Sequence, residues 1–387
     1  MSFDFDAVVV GAGVVGLAIA TALAKTGKKV IVLEANENIG QETSSRNSGV
    51  IHAGIYYDKN SLKAKTCVSG RHLLYEYLEK HKVNYKKIGK YIVTNRTRSE
   101  QLEKLFFKGI DNGVVDLKIN EKKYLEKKIP EIRADIAIYS PSTGILDVHG
   151  FMNSLTGEIQ DYGGYIAKLS KFIFARRTKD SSHGWEIQVS CGKNGTEKIM
   201  ISSHWVINAA GLFAESIAKQ IEGYPTKFIP ETYFVKGNYF TVGGNYSFDN
   251  LIYPLPEKDG LGIHLTLDLS NQVILGPDTE PLEKENIYNS DGVPKFDYSV
   301  DKKQREKFFS SVVKWWPHLK LDSIQPGYSG IRPKLKTKLG TSRDFIIQGY
   351  LQTETPGLIN LYGIESPGLT ASLSLADLVA KQVADYD

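Results

Sequence analysis

The opening stretch of the chain, up to Glu34, restricts the fold more than any other segment. Ala7-Val8-Val9-Val10 reads as a short buried strand, and Gly11-Ala12-Gly13-Val14-Val15-Gly16 matches GxGxxG. Leu17 to Lys25 reads as an Ala/Leu/Ile-rich helix stopped at Gly27, and Lys29 to Glu34 as a second strand ending in an acid. Strand, turn, helix and strand in so few residues imply a right-handed crossover in a parallel sheet. Each glycine has its own duty: Gly11 permits the sharp turn, Gly13 lets backbone approach a pyrophosphate, and Gly16 lets the helix lie on the strand. The phosphates then sit at the positive end of that helix. Glu34 stands 18 residues after Gly16, at a strand tip. A carboxylate there accepts from both ribose hydroxyls and repels a 2′-phosphate. GxGxxG alone is a weak pattern, and its place between strand and helix is what gives it weight. NAD and FAD both carry the ADP half, so this unit does not choose between them.

Composition narrows the remaining classes. Hydrophobic content of 41% with 24% charge is that of a folded globular chain rather than a disordered one. Forty-eight basic against 44 acidic residues is too even a balance to argue for nucleic acid, and runs such as Lys118 to Lys128 read as a solvated helical face. Two distant cysteines, Cys67 and Cys191, give neither a disulfide framework nor a metal spacing, so no metal is expected and a reducing compartment fits. No signal peptide and no run of about 18 apolar residues stand out. The expected location is the cytoplasm, with peripheral contact at the inner membrane face left open.

Beyond the first unit, Asn36 to Asp58 is a long Gly/Ser/Asn/His-rich stretch of the kind that is usually functional inside a compact domain. Helices are expected over Ser61 to Lys80 and near 99 to 130. Strands are expected over Trp185 to Val189, Lys198 to Ser202 and Trp205 to Asn208. Thr232 to Leu275 is aromatic and β-rich, with turn pairs at Gly243-Gly244 and Asp259-Gly260. An apolar strand, Leu358 to Tyr362, precedes a final helix. The fold class is therefore α/β plus α+β: a discontinuous Rossmann-like cofactor-binding domain (1–88, 147–225, 325–387) with an inserted β-rich substrate domain (89–146, 226–324).

Three strings lie outside the dinucleotide turn: Ser44-Ser45-Arg46-Asn47-Ser48-Gly49-Val50-Ile51-His52-Ala53-Gly54-Ile55-Tyr56-Tyr57, Ile207-Asn208-Ala209-Ala210-Gly211 and Gly363-Ile364-Glu365-Ser366-Pro367-Gly368-Leu369-Thr370. Together they resemble the D-amino-acid-oxidase-like FAD oxidoreductases. With Ile252-Tyr253-Pro254, Gly262-Ile263-His264-Leu265-Thr266 and Gly330-Ile331-Arg332-Pro333-Lys334-Leu335, they resemble the L-2-hydroxyglutarate dehydrogenase subgroup most. The resemblance spans nearly the whole chain. It departs at Leu267-Asp268-Leu269 and at Arg46, which puts the distal-carboxylate contact in doubt.

The resemblance implies FAD as cofactor. Its contacts are expected from Gly11, Gly13, Gly16, Glu34, Arg46, Asn47, Ser48, Gly49, Ala210, Gly211, Gly363, Pro367, Gly368, Leu369 and Thr370. Small residues in the first string let backbone pass a flat ring. In the third, Ser366 is the expected N-cap and Pro367 the first helical residue, aiming a helix N-terminus at the flavin N1–C2=O edge. Without the resemblance, the same string would equally describe an ordinary capped helix.

The implied substrate is a small anionic 2-hydroxy acid, (S)-2-hydroxyglutarate foremost, with a quinone or another carrier as electron acceptor. Arg332 offers a bidentate fork for its carboxylate. Lys334, Lys236 and Arg46 are candidate second anchors, and Tyr253 and Tyr57 candidate hydrogen-bond donors. His264 is preferred as the base for the hydroxyl proton and His52 as the flavin-adjacent residue, though either histidine suits the role. A glycine-oxidase-like amino-acid oxidase and a non-catalytic flavin-binding module are the alternatives. An NAD-linked enzyme leaves residues 44–57 and 363–370 unexplained.

Overall fold

The first strand, β1 (Phe5–Val10), buries its last four residues and lies near the middle of an eight-stranded sheet. It pairs in parallel with β2 (Val30–Leu33) on one side and with the end of the strand Glu197–Asn208 on the other. Tyr165–Ala167 adds to β2, and Leu358–Tyr362 adds to Val206–Asn208, both in parallel. One layer is thus assembled from the two ends and the middle of the chain. The computed structural model describes residues 3–178, 184–244, 246–256, 262–288, 292–337, 340–342 and 344–386. The turn expected at Asp259-Gly260 lies outside them.

The crossover between β1 and β2 is α1 (Val14–Lys25), which packs against the C-terminal helix Gly368–Ala384. That helix also packs on α2 (Leu62–Lys80), whose N-cap Ser61 accepts the Ala64 N–H. Leu17, Ile19 and Leu23 of α1, Phe151 and Leu155, and Val379 and Val383 share one apolar cluster beneath the sheet. Burial of such side chains contributes roughly 1.5–3 kcal/mol each, so the tail belongs to the core of the cofactor layer.

A second sheet of ten strands is built on the antiparallel pair Glu231–Val242 and Ile324–Thr337. It continues through Val273–Leu275, Leu265–Leu267 and Leu251–Pro254 to Lys90–Thr94. Ile92, Ile138, Leu251, Leu265 and Trp316 form its core. A three-stranded sheet of Val50–Ile51, Gly144–Leu146 and Tyr85–Lys86 lies beside the two larger ones.

Residues 324–336 pair with Glu231–Val242 in the second sheet. Two expectations are corrected here. Lys118–Glu121, expected within a helix, is a strand against Ile136–Tyr139; its isolated Ile119 leaves no period to distinguish the two. The last helix begins at Gly368 with Pro367 as its N-cap and no side-chain cap, so Ser366 does not cap it. Among the described residues no helix is long and apolar enough to cross a membrane. Cys67 and Cys191 are free.

Candidate active site

The glycine turn is as tight as the sequence implies. Gly11 has φ +103°, and a Cβ there would lie 2.8 Å from the Ala209 carbonyl oxygen. A Cβ on Gly16 would lie 2.0 Å from the Gly11 carbonyl oxygen, so helix and strand approach to a distance only glycine permits. Glu34 Oε2 accepts the Ala12 N–H at 2.9 Å and Oε1 accepts the Asn36 N–H at 2.8 Å. Burial raises the Glu34 pKa and these amide bonds oppose the rise. Ser44 Oγ accepts the Val14 N–H at 3.0 Å, docking the loop at residues 43–48 on the start of α1. In that loop Asn47 Oδ1 accepts the Gly49 N–H and its Nδ2 donates to Ser44 O at 2.7 Å. Gly49 itself has φ +61°.

From this turn a cavity of about 960 Å³ runs to the second sheet. Gly11, Gly13, Glu34, Ala210 and Gly211 line it around the turn, and Arg46, Asn47 and Ser48 line it where the loop meets the second sheet. His52, Tyr57, Tyr253, His264, Arg332, Lys334 and the start of the C-terminal helix, Pro367, Gly368 and Leu369, line its far end. The volume is at the upper end of the range that holds small organic ligands, about 300–1,000 Å³. Gly16, Gly49, Gly363 and Thr370 stand behind the lining. A Cβ on Gly363 would strike Leu335, and Thr370 Oγ1 accepts the His52 N–H at 3.0 Å.

At the far end His52 Nε2 lies 3.3 Å from Ser366 Oγ, while Nδ1 is buried without a partner. Desolvation pushes the His52 imidazole down to about 3, helped by the charges of Lys90 and His264. The ring is therefore neutral at physiological pH, and in this environment its protonated form is disfavoured. His264 is buried and stacks on Tyr253, with centroids 3.6 Å apart and planes at 12°. Arg332 Nη2 donates to the Asp278 carbonyl at 2.7 Å and its buried Nε has no partner. Backbone carbonyls position this guanidinium but do not neutralise it, which leaves its charge for an anion.

The second anchors fare unequally. Lys236 donates to the Ser299 carbonyl at 2.6 Å and is not among the residues lining the cavity. Arg46 lines the cavity with its guanidinium 3.9 Å from the Tyr298 ring centroid. Lys334 lines it too, but Nζ is paired with Glu365, which also takes Lys63 Nζ at 2.8 Å. Glu365 is buried, and the two lysines hold its carboxyl below the usual range against the cost of desolvation. Lys63, Glu365 and Ser44 line the cavity, and Lys90 lies behind it over the Tyr56 and Tyr253 rings; sequence reasoning singles out none of the four. Lys90 has a usable signal, a cation opening the apolar run Lys90-Tyr91-Ile92-Val93. The others are contacts between segments far apart in sequence, which no local pattern announces.

The residues fit FAD. Gly11 and Gly16 leave no room for a Cβ, the Glu34 carboxylate lines the same cavity as the turn and would hold a ribose, and the turn would hold a diphosphate. The orphaned Nδ1 of His52 and Nε of Arg332 belong to side chains lining the cavity's far end. Fold and site together define a flavin-dependent oxidoreductase with a two-sheet architecture. Comparison with known proteins agrees. A family model described as FAD dependent oxidoreductase (DAO) matches residues 6–382. L-2-hydroxyglutarate dehydrogenase, mitochondrial, of Arabidopsis thaliana is 40% identical, over 97% of this chain and 83% of that protein. L-alpha-glycerophosphate oxidase from Mycoplasma pneumoniae with FAD bound superposes with a TM-score of 0.85 at 24% identity, covering 98% of this chain and 94% of that one. Glycine oxidase from Geobacillus kaustophilus gives 0.78 at 18% identity, covering 100% and 96%. The chain belongs to the DAO family of FAD-dependent oxidoreductases; it is an enzyme and its cofactor is FAD.

Proposed function

We propose that this enzyme oxidises a small 2-hydroxy acid, (S)-2-hydroxyglutarate first among them, to the 2-oxo acid. The observation that carries the reading is Arg332, a guanidinium on the cavity wall held by backbone carbonyls and, among the described residues, paired with no carboxylate. A relative 40% identical and named L-2-hydroxyglutarate dehydrogenase supports the substrate. Bound FAD supplies the hydride acceptor, N5. Arg332 grips the substrate C1 carboxylate and so fixes which face of C2 is presented. His264 takes the hydroxyl proton, with its ring plane set by the Tyr253 stack. His52 stands beside it, anchored by Thr370 to the helix that closes the cavity. Lys334 or Lys63, sharing one carboxylate, or Arg46 receives a distal carboxylate, while Tyr57 donates to substrate. The final electron acceptor is a quinone or another carrier, and peripheral contact with a membrane belongs to that reading. We further propose that the eight-stranded sheet marks a cofactor domain and the ten-stranded sheet a substrate domain.

A glycine-oxidase-like amino-acid oxidase is the second reading, favoured by the likeness in fold. Anaerobic titration of the purified flavoprotein decides between them. Bleaching of the flavin band by (S)-2-hydroxyglutarate, and not by amino acids, is expected. Bleaching by glycine or another amino acid alone reverses the assignment, and no bleaching across the panel leaves only a flavin-binding module.

A further inference from the structure

The wall behind the two histidines contains a buried cation that the proposed chemistry does not use. Lys90 opens the strand Lys90–Thr94 and is 1% exposed. Its Nζ lies 4.8 Å from the Tyr56 ring centroid and 4.7 Å from that of Tyr253. Tyr253 in turn stacks on His264. Cation, phenol and imidazole thus form one column running from the interior of the second sheet to the cavity. No carboxylate pairs with Lys90 among the described residues.

A buried ammonium without a counter-ion is costly, and sandwiching by two aromatic faces returns only about 2 kcal/mol even when desolvated. A simple filler at this position would be apolar. We infer that Lys90 is a positioning residue which, clamped between Tyr56 and Tyr253, fixes the Tyr253–His264 stack and keeps positive charge behind the histidines. This rests on the reading of His264 as the base of the site and His52 as the residue beside it.

The groups around His52 support this from each side. Lys90 and His264 act on it from the second sheet. Cys67 Sγ donates to the His52 carbonyl at 3.5 Å from α2, and Ser366 Oγ meets Nε2 ahead of the C-terminal helix. Tyr56 and Tyr57 flank it on its own loop, with Glu365 acting on Tyr57. The Cys67 thiol is pushed up to about 12 and stays neutral, so it does not cancel the lysine. Lys90 itself is pushed down to about 7 by burial, so its charge fades just above neutrality.

The test is a histidine NMR titration of the FAD-loaded enzyme without substrate, using ring-13C-histidine and His52→Gln to assign the signal. Followed down to the acid limit of the folded enzyme, the wild-type His52 signal should begin to protonate only well below the range in which a free imidazole titrates. In Lys90→Met it should titrate at least about one pH unit higher than in wild type, and in Lys90→Arg it should follow wild type. Lys90→Gln is made alongside, so that the comparison survives if methionine prevents folding. An unchanged His52 titration in the uncharged variants overturns the inference. Because no turnover is measured, that result is separable from failure of the 2-hydroxy-acid reading, which flavin bleaching of the wild type tests. If both hold, the acid limb of kcat/KM moves up in Lys90→Met and not in Lys90→Arg.

Discussion

The backbone N–H of His52 donates to Thr370 Oγ1 at 3.0 Å, joining residues 318 positions apart. The same hydroxyl reaches the Val50 carbonyl at 3.3 Å. One side chain from the first turn of the last helix therefore holds the backbone of the loop that carries a proposed reactive histidine. Thr370→Val keeps the shape and removes both bonds. Leaving the His52 N–H unpaired should cost about 1–3 kcal/mol. Thermal unfolding of the FAD-loaded enzyme should register the loss, and Thr370→Ser should recover most of it. Equal stability of the valine variant would mean that this bond contributes nothing.

Gly16→Ala should abolish FAD retention. The added Cβ would lie 2.0 Å from a backbone oxygen, which no side-chain rotation relieves, so α1 must lift off β1. Gly157, within the helix Val148–Asp161 and with nothing near its would-be Cβ, is the control: Gly157→Ala should be neutral or stabilising by up to about 1 kcal/mol. The ratio of flavin to protein absorbance after purification checks both.

Cofactor affinity should fall on mild acidification. Glu34 has a raised pKa, so in the cofactor-free protein it takes up a proton at a higher pH than an ordinary glutamate. The sign follows: the protonated form is favoured by burial, whereas accepting from ribose hydroxyls requires the carboxylate. FAD binding should therefore release a proton, and the Kd should rise as pH drops through the Glu34 pKa. Isothermal titration in buffers of different ionisation enthalpy measures that proton. Glu34→Gln should bind more weakly and lose this pH dependence.

Arg332 and His264 should separate in kinetics. Arg332→Ala removes a charge-assisted pair worth roughly 1.5–3 kcal/mol, about tenfold to a hundredfold in KM for a 2-hydroxy acid. His264→Gln should lower kcat by about 10²–10⁴ with a smaller change in KM. If His52→Gln gives the larger loss in kcat, the two histidines exchange roles. Stopped-flow reduction of the flavin by substrate reads the chemical step directly.

The cofactor half is largely legible in the residues. Gly11, Gly13, Gly16 and Glu34 act within one βαβ unit, so local spacing reports their geometry. The tail is legible for another reason: Leu358–Tyr362 is a mostly apolar run, buried on both faces between the parallel Val206–Asn208 and the antiparallel Ile346–Gln348. The start of its helix is not, because Ser366 has the chemistry of a cap, whereas its hydroxyl turns to His52. Whether Lys236 faces the cavity is not legible, because residues on a strand alternate in direction and composition does not say which face the cavity takes. The Lys63–Glu365–Lys334 cluster joins three segments distant in sequence, and only the assembled fold brings them together.

Leu358–Tyr362 lies inside the parallel layer, and the helix after it forms part of the cavity wall. A nascent chain emerging from the ribosome thus carries the diphosphate turn long before it carries the wall opposite. Cofactor capture becomes a post-translational event, and a premature stop codon ahead of that helix would forfeit the enzyme rather than trim it.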